Sequence, residues 1–578
     1  MNITNQNKIF WKKKASLLKW EKVPNEIFKK KNNHPLWYSD GKIDIYQNLI
    51  SLNVKLNPKK IAIITVNKNN EIKKYSYQEI DFLVNSFLNR LYSKKKMIKK
   101  MMIHASASID SAISMLACCK RGIFFSVIFE DLPYEAIKTR IKLFKPDTFI
   151  TRSKKLYKDL NKEKKLKEIK IFNFDKLNKT QLRKIKIIKN KILKSNDNFF
   201  CLFTSGSTGV PKGIIHNYGG YTVYTKFTCQ RQFGMNSKSI VLTASDAGWI
   251  NGHTYSLFGP LLFGSTTILC ENPILLLNEK LLKFIIKLGV TILYLPVTII
   301  RLLKATSNKE KFKPNKIISI GSMGEPLAPS VGLWFAKKFK TEYSAIVNTY
   351  FQTETGGIIA SPKYTDNIKL NPHGSIGQLA CNKLKLDKLE ANNKNELIIQ
   401  QPWPGCMKNV LNGKKEWFKY WNKNNYFKMF DLGTKKKGTL FVHGRIDDVI
   451  NIRGHRIGSE ELESIVLKNK LVAECCAIAS FDELEGSIFY LFLVAKKKID
   501  NDQINKMISK VFGTFAIPKN IFQIPELPKT RSGKILRRLL KQLLNYNNKR
   551  GKIIDLSTML NPKIIPVIKR EIFRYAKN

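Results

Sequence analysis

The sequence predicts an α/β protein, with a large domain of β-sheets flanked by helices followed by a small, separate C-terminal α/β domain. Two patterns predict the large domain. From Tyr75 to Ile150, helix-like segments alternate with short β-branched runs, as where Ile109–Lys120 is followed by Ile123–Phe129. Strand-like runs then recur at Phe199–Phe203, Ser239–Thr243, Thr291–Leu295 and Ile317–Ile320, each leading into a Gly- or Ser-bearing turn or a Pro. The small domain is announced by a change of character after Arg445. A short strand and a Gly-bearing turn give way to a helix opened by Ser459, with Glu460, Glu461 and Glu463 in its first turns. Ser at an N-cap and acids at the positive end of the helix dipole both favour a helix start there.

The remaining stretches follow from composition. The first 69 residues mix Lys/Asn runs with Trp11, Trp20, Trp37 and Tyr38, aromatic anchors expected of an arm lying on a domain. The expected division is therefore an arm over 1–69, the large domain over 70–446 and the small domain over 447–578. Lys154–Ser195, the most Lys-dense stretch, is expected as a surface excursion.

The 578 residues carry 101 Lys+Arg against 44 Asp+Glu, a formal charge of +57. A hydrophobic fraction of 43% supplies ample core, which excludes wholesale disorder, collagen and a small disulfide scaffold. A charge this high usually marks a nucleic-acid or anionic-membrane surface. Here Arg accounts for only sixteen of the 101 cations, and Lys is spread along the whole chain with abundant Asn and Ile. That mixture reads as compositional drift, with no specific nucleic acid and no membrane expected as partner. The nine cysteines form no C-x-x-C and include two adjacent pairs, which suits neither a disulfide framework nor zinc. Reduced, buried thiols of a cytoplasmic protein are expected. The N-terminal twenty residues have no apolar core, so no secretory signal is expected. The longest apolar run, Gly289–Ile300, is too short to span a bilayer.

The strongest local signal is TSGSTGVPKG, residues 204–213, directly after a strand-like run. Gly206 and Gly209 let the backbone turn its N–H groups inward, while Thr204, Ser205, Ser207 and Thr208 add hydroxyl donors and Lys212 a mobile positive charge. Such a turn suits a polyphosphate. It is not a Walker A loop, because the G-x-x-x-x-G-K-[ST] order is absent.

This string resembles the phosphate loop of the adenylate-forming superfamily, which contains acyl-CoA synthetases, luciferases and the adenylation domains of peptide synthetases. Five further strings resemble that superfamily in the expected order: Gly324-Glu325-Pro326, Tyr350-FQTETGG-Ile358, Phe430-Asp431-Leu432-Gly433, Gly444-RIDDVINIRGHRIG-Ser459 and Leu527-PKTRSGKILRR-Leu539. Within it, SDAGWINGHTYSLFGPLLFGSTTIL (Ser245–Leu269) looks like the acetyl- and propionyl-CoA synthetase branch, as do FWKKKASLLKW and LWYSDGKIDIYQNLI near the N-terminus. The likeness covers nearly the whole chain.

The resemblance implies two half-reactions and a mobile small domain. A carboxylate attacks the α-phosphate of ATP to give acyl-AMP and pyrophosphate, and the thiol of coenzyme A then displaces AMP. The first step is positioning and charge neutralisation. Lys534 matches the lysine that approaches the carboxylate and α-phosphate, and Glu354 the carboxylate that holds Mg²⁺. Gly324, Glu325, Pro326, Asn348, Thr349, Tyr350, Phe351 and Gln352 match nucleotide-binding stretches. Thr353 matches an α-phosphate contact, Asp431 the ribose acid, and Arg445 and Arg456 bases around ribose and phosphate. Arg clusters at Arg445–Arg456 and Arg531–Arg538, which agrees with phosphate-facing roles, although Arg537 and Arg538 fit a solvated helix face equally well. Asp447 matches the hinge about which the small domain swings, and Gly454 the small residue that lets pantetheine pass, with Arg453 and Lys510 nearby.

The chain also departs from the branch. Phe129-Glu130-Asp131-Leu132 stands where the branch has Phe-Gly-Gly-Phe near the coenzyme A nucleotide, and Arg453 replaces a small residue. The acyl-pocket positions fall at Ile250, Asn251, Met323 and Phe351. Phe351 stands where a Trp forms the pocket floor, while Met323 replaces a smaller residue, so the pocket is expected to stay small. The expected function is an AMP-forming short-chain acyl-CoA synthetase, with propionate slightly preferred over acetate. Alternatives are acetyl-CoA synthetase proper, an adenylating enzyme that passes its acyl group to a carrier protein, and a non-catalytic remnant or polyanion-binding protein.

Overall fold

The computed structural model describes residues 3–31, 34–94, 97–163, 166–178, 185–204, 211–306, 316–341, 343–377, 384–388, 395–411, 413–422, 424–436, 438–445, 449–452, 455–482, 486–530, 533–544 and 559–577. Two seven-stranded sheets form the body of the large domain. In spatial order the first runs Asn409–Val410, Lys212–Asn217, Asn198–Thr204, Phe124–Ile128, Lys100–His104, Thr148–Thr151 and Lys170–Asn173. Its last five strands are parallel, and Lys212–Asn217 is antiparallel to both of its neighbours. The second runs Val347–Asn348, Ser319–Met323, Ile292–Pro296, Ile240–Thr243, Thr266–Cys270, Ile61–Val66 and Ile72–Ser76, parallel except for the last strand. Buried β-branched runs such as IAIITV suit interior strands covered on both faces.

The expected strand runs are all present, their ends shifted by up to three residues, and the predicted helix is Ile109–Arg121. Ser108 caps that helix by accepting from the Ser111 amide, and Gly122 closes it with φ 64°. Two stretches differ from expectation. Ile61–Val66, inside the expected arm, is an interior strand of the second sheet. Lys170–Asn173, inside the expected surface excursion, closes one edge of the first sheet, its KIFN presenting one fully buried residue. The rest of the arm is docked by its aromatics. Trp11 is fully buried, edge-on to Trp37, Phe10 and Phe227, and its carbonyl accepts from the Tyr38 hydroxyl at 3.0 Å.

An antiparallel four-stranded sheet, Leu384–Lys388, Asn395–Ile399, Phe427–Lys436 and Thr439–Arg445, completes the large domain. Beyond it the hairpin Val449–Ile452/His455–Gly458 leads to the helix Ser459–Val466 and a three-stranded sheet of Val472–Asp482, Gly486–Ala495 and Asn520–Gln523. Glu463 serves tertiary packing in addition to its helix. It receives both terminal nitrogens of Arg537, at 2.6 and 2.7 Å, and the Ala477 amide at 2.8 Å. Arg537 is therefore a structural cation of the small domain, neither phosphate-facing nor solvated. All eight described cysteines are buried and none is in a disulfide, and Cys381 lies outside the described residues. No described helix is long and apolar enough to cross a membrane.

Candidate active site

Thr204 and Lys212 face each other at the ends of the antiparallel pair Asn198–Thr204 and Lys212–Asn217 in the first sheet. Ser205, Gly206, Ser207 and Thr208 lie outside the described residues. The Lys212 ammonium stands 2.6 Å from Oε2 of Glu416 and 5.9 Å from the ring centre of Tyr420. Glu416, on the helix Lys414–Lys419, also pairs with Lys419. Hydrogen bonds from Lys212 and then Lys419 hold its carboxyl below the usual range. The Tyr420 hydroxyl donates to Oε1 of Glu354 at 2.7 Å. Lys212, Glu416, Tyr420 and Glu354 thus form one connected group. Sequence reading missed Glu416 and Tyr420, whose only local signal is an acid and an aromatic four residues apart on one helix face.

Glu354 is a buried carboxylate, 8% exposed, with one oxygen held by a phenol. Among the described residues no group of three or more His, Cys, Asp or Glu is gathered for a metal. A single hard carboxylate fits Mg²⁺ completed by phosphate oxygens, the usual arrangement for that ion.

The strand Ser319–Met323 delivers Gly324 at φ 88°, where a Cβ would meet nothing within 4 Å, so the backbone borders open space. Beside it, Asn348 accepts from the Ser322 hydroxyl and donates to the Ser375 carbonyl, both at 2.9 Å. Thr349 donates to the Ser322 carbonyl at 2.8 Å. Asp431, 6% exposed on Phe427–Lys436, receives the Tyr350 hydroxyl at 2.7 Å and the Gln352 amide at 2.8 Å on the same oxygen. His216, fully buried, meets the Thr353 carbonyl at 2.8 Å, and burial pushes its pKa down to about 4. These contacts bring Asn348, Thr349, Tyr350, Gln352, Thr353, Glu354 and Asp431 together at the carboxyl ends of the second sheet and the rim of the third, a common place for ligands in α/β folds.

Arg445 sits opposite Asp431 in strand register, and Arg456 opposite Asn451 in the following hairpin. Asp447, Arg453 and Gly454 lie outside the described residues. Lys510 is exposed in the last turn of Asn501–Phe512 and makes no hydrogen bond or ion pair with the described candidates.

Ile250 and Asn251 open a π-helical segment, Gly252–Phe258, and are buried, as is Met323. The Asn251 amide donates to the Met323 sulfur. Phe351 is half-buried, its ring edge-on to Tyr255 at 6.1 Å. Met323 directly precedes Gly324, which joins this apolar group to the segment bordering the open space. Asp246, two residues before Gly248, has its carboxyl pushed up to about 7 by burial and, secondarily, by Glu130. Glu130 itself pairs with Lys68 at 3.3 Å, so that acid is already balanced within the fold.

Lys534 is exposed on a tight turn in which the Thr530 amide donates to the Lys534 carbonyl at 2.7 Å. Both neighbours of Lys534 reach the large domain. Thr298 donates its hydroxyl to the Gly533 carbonyl at 2.9 Å, and the Ile535 amide donates to Oε1 of Glu325 at 3.4 Å. Glu325 also pairs with Arg301. Its carboxylate is spent on the contact between domains.

A family model described as "AMP-binding enzyme" matches residues 51–408, and one described as "AMP-binding enzyme C-terminal domain" matches residues 461–534. The chain is 31% identical to an acetyl-coenzyme A synthetase of Leptospira biflexa, over 96% of this chain and 92% of that protein. It is 29% identical to the acetyl-coenzyme A synthetase of Helicobacter pylori strain G27, over 97% and 92%. Its fold superposes on the acetoacetyl-CoA synthetase from Streptomyces lividans with a TM-score of 0.81 at 15% identity, covering 99% of this chain and 93% of that one. The matched models span well over half of the chain and include Lys212, Gly324, Glu354 and Lys534; the chain belongs to the AMP-binding enzyme family, among its adenylate-forming acyl-CoA synthetases.

Proposed function

We propose that this chain converts a short-chain carboxylate, ATP and coenzyme A to acyl-CoA, AMP and pyrophosphate through an acyl-adenylate, with propionate preferred over acetate. The observation that carries the reading is the seating of the Lys534 turn on Glu325, next to Gly324 and its open space. A lysine there can approach a carboxylate and an α-phosphate together, stabilising charge where it develops. Lys212 and the loop at 204–208 take the β- and γ-phosphates, and Tyr350, Gln352 and Asp431 the ribose. The buried Glu354 holds Mg²⁺, which when bound neutralises phosphate charge. Ile250, Asn251, Met323 and Phe351 bound a small acyl pocket. Arg445, Arg456 and the hinge residue Asp447 act with Lys534 as the small domain moves, and Arg453, Gly454 and Lys510 border the path of coenzyme A. The described thiols, all buried and none in a disulfide, agree with a reducing, cytoplasmic setting.

The test is pyrophosphate release with Mg-ATP and acetate, propionate or butyrate, each with and without coenzyme A, at moderate salt. Turnover that needs coenzyme A and is fastest with propionate is expected. Exchange of pyrophosphate without thioester would make a carrier-bound thiol the acceptor. Inactivity with every acid would overturn the reading.

A further inference from the structure

The position of the Lys534 turn is fixed from the other side of the domain boundary by residues outside every motif that the sequence singles out. The helix Val297–Thr306 presents Thr298 and Arg301, three residues apart and hence on one face. Thr298 is 3% exposed and holds the residue before Lys534 through the Gly533 carbonyl. Arg301, 8% exposed, pairs with Glu325, which in turn accepts the amide of the residue after Lys534. Burial works against the Arg301 charge, yet Glu325 raises its pKa, with Glu474 and Glu463 of the small domain adding to the same effect. The fit is close as well as polar. Gly533 has φ 84°, and a Cβ there would come within 2.8 Å of the Thr298 hydroxyl oxygen.

We infer that Thr298 and Arg301, acting through the Gly533 carbonyl and through Glu325, form a seat that positions the Lys534 turn for adenylation. They are positioning residues for the first half-reaction only. The inference rests on the proposed role of Lys534. Because the seat touches the main chain on both flanks of the lysine, it fixes where the side chain starts while leaving the ammonium free to reach its target. A residue misplaced by about 1 Å at such a point costs up to roughly a hundredfold in rate.

The test separates the two half-reactions in the full chain. Acid-dependent exchange of labelled pyrophosphate into ATP reads adenylation, and thioester formation from supplied propionyl-adenylate and coenzyme A reads transfer. Thr298→Val, which keeps shape and removes the donor, should lower exchange about tenfold, near the upper end for one hydrogen bond, and leave transfer within about twofold. Thr298→Ser, which keeps the hydroxyl, should retain exchange within about twofold, and Arg301→Lys should show the same selective loss as Thr298→Val. Adding Thr298→Val to Lys534→Ala should cost nothing further. Equal loss of both half-reactions in Thr298→Val, with Thr298→Ser equally impaired, would reduce the contact to general stability and overturn the seat. Undiminished exchange in Thr298→Val and Arg301→Lys, beside loss in Lys534→Ala, would overturn the seat alone. Exchange surviving in Lys534→Ala would overturn both the seat and the role of Lys534.

Discussion

Lys212 and Glu416 hold each other at 2.6 Å, so the cation at the foot of the proposed phosphate loop already has an anionic partner before any nucleotide arrives. A polyphosphate that binds Lys212 has to compete with that carboxylate. Glu416→Gln should therefore tighten inhibition by pyrophosphate about three- to tenfold, since a partly exposed pair contributes roughly 1 kcal/mol. Lys212→Ala should raise the KM for ATP by more than about tenfold. Pyrophosphate inhibition curves for the wild type and Glu416→Gln check the exchange, and identical curves would refute it.

Tyr420 ties the same region to Glu354. Tyr420→Phe keeps the ring stacked on Phe427 but removes the donor to the carboxylate. The expected result is a several-fold higher Mg²⁺ requirement at saturating ATP, with thermal stability changed by only about 1 kcal/mol. A magnesium titration of initial rates decides it.

Phe351→Trp refills the expected pocket floor. Propionate should lose at least about tenfold in kcat/KM relative to acetate, within the ~1–3 kcal/mol that one methylene is worth. An unchanged ratio would remove Phe351 from the pocket.

Two buried histidines set an acid limit on stability. His216 and His253 have their pKa values lowered from 6.5 to about 4 and about 3 by burial. The unfolded chain therefore binds more protons, and stability present above about pH 6.5 falls as pH drops toward 4. Each histidine should cost about 2 kcal/mol by pH 5. Denaturant midpoints at pH 7.5 and 5 should separate accordingly, and His216→Gln should shrink the gap.

The N-terminal arm is held by aromatic packing, with Trp11 at its centre. Trp11→Ala should destabilise the fold by ~3–5 kcal/mol, measurable as a lowered denaturation midpoint.

Much of this architecture was legible in the sequence because local periodicity encodes it. The runs around Phe199–Phe203 and Thr291–Leu295 are interior strands, and Ser108 and Gly122 bracket the helix they punctuate. Lys170–Asn173 escaped because Lys170 and the lysines on either side masked two apolar residues, and Ile61–Val66 because it lies between Lys/Asn runs. In the site, Asp431 and Glu354 were visible as motif acids. Tyr350 and Gln352 were motif residues too, but their pairing with Asp431, and Tyr420 with Glu354, became apparent only once segments distant in sequence were side by side. Thr298 and Arg301 had no signature at all. Glu325 is a motif residue, but that its side chain reaches across the domain boundary depends on where Ile535 comes to rest.

The way the two large sheets end has a bearing on the +57 charge. Each has one terminal strand of just two residues, Asn409–Val410 or Val347–Asn348, too short to template another chain. The opposite terminal strands are longer but carry exposed lysines, Lys170 on one and Lys73 and Lys74 on the other. Two copies meeting edge to edge would bring like charges together and bury ammonium groups, a familiar guard against intermolecular strand pairing. Lys170, Lys73 and Lys74 thus guard the longer rims of the two open sheets against pairing with a second chain.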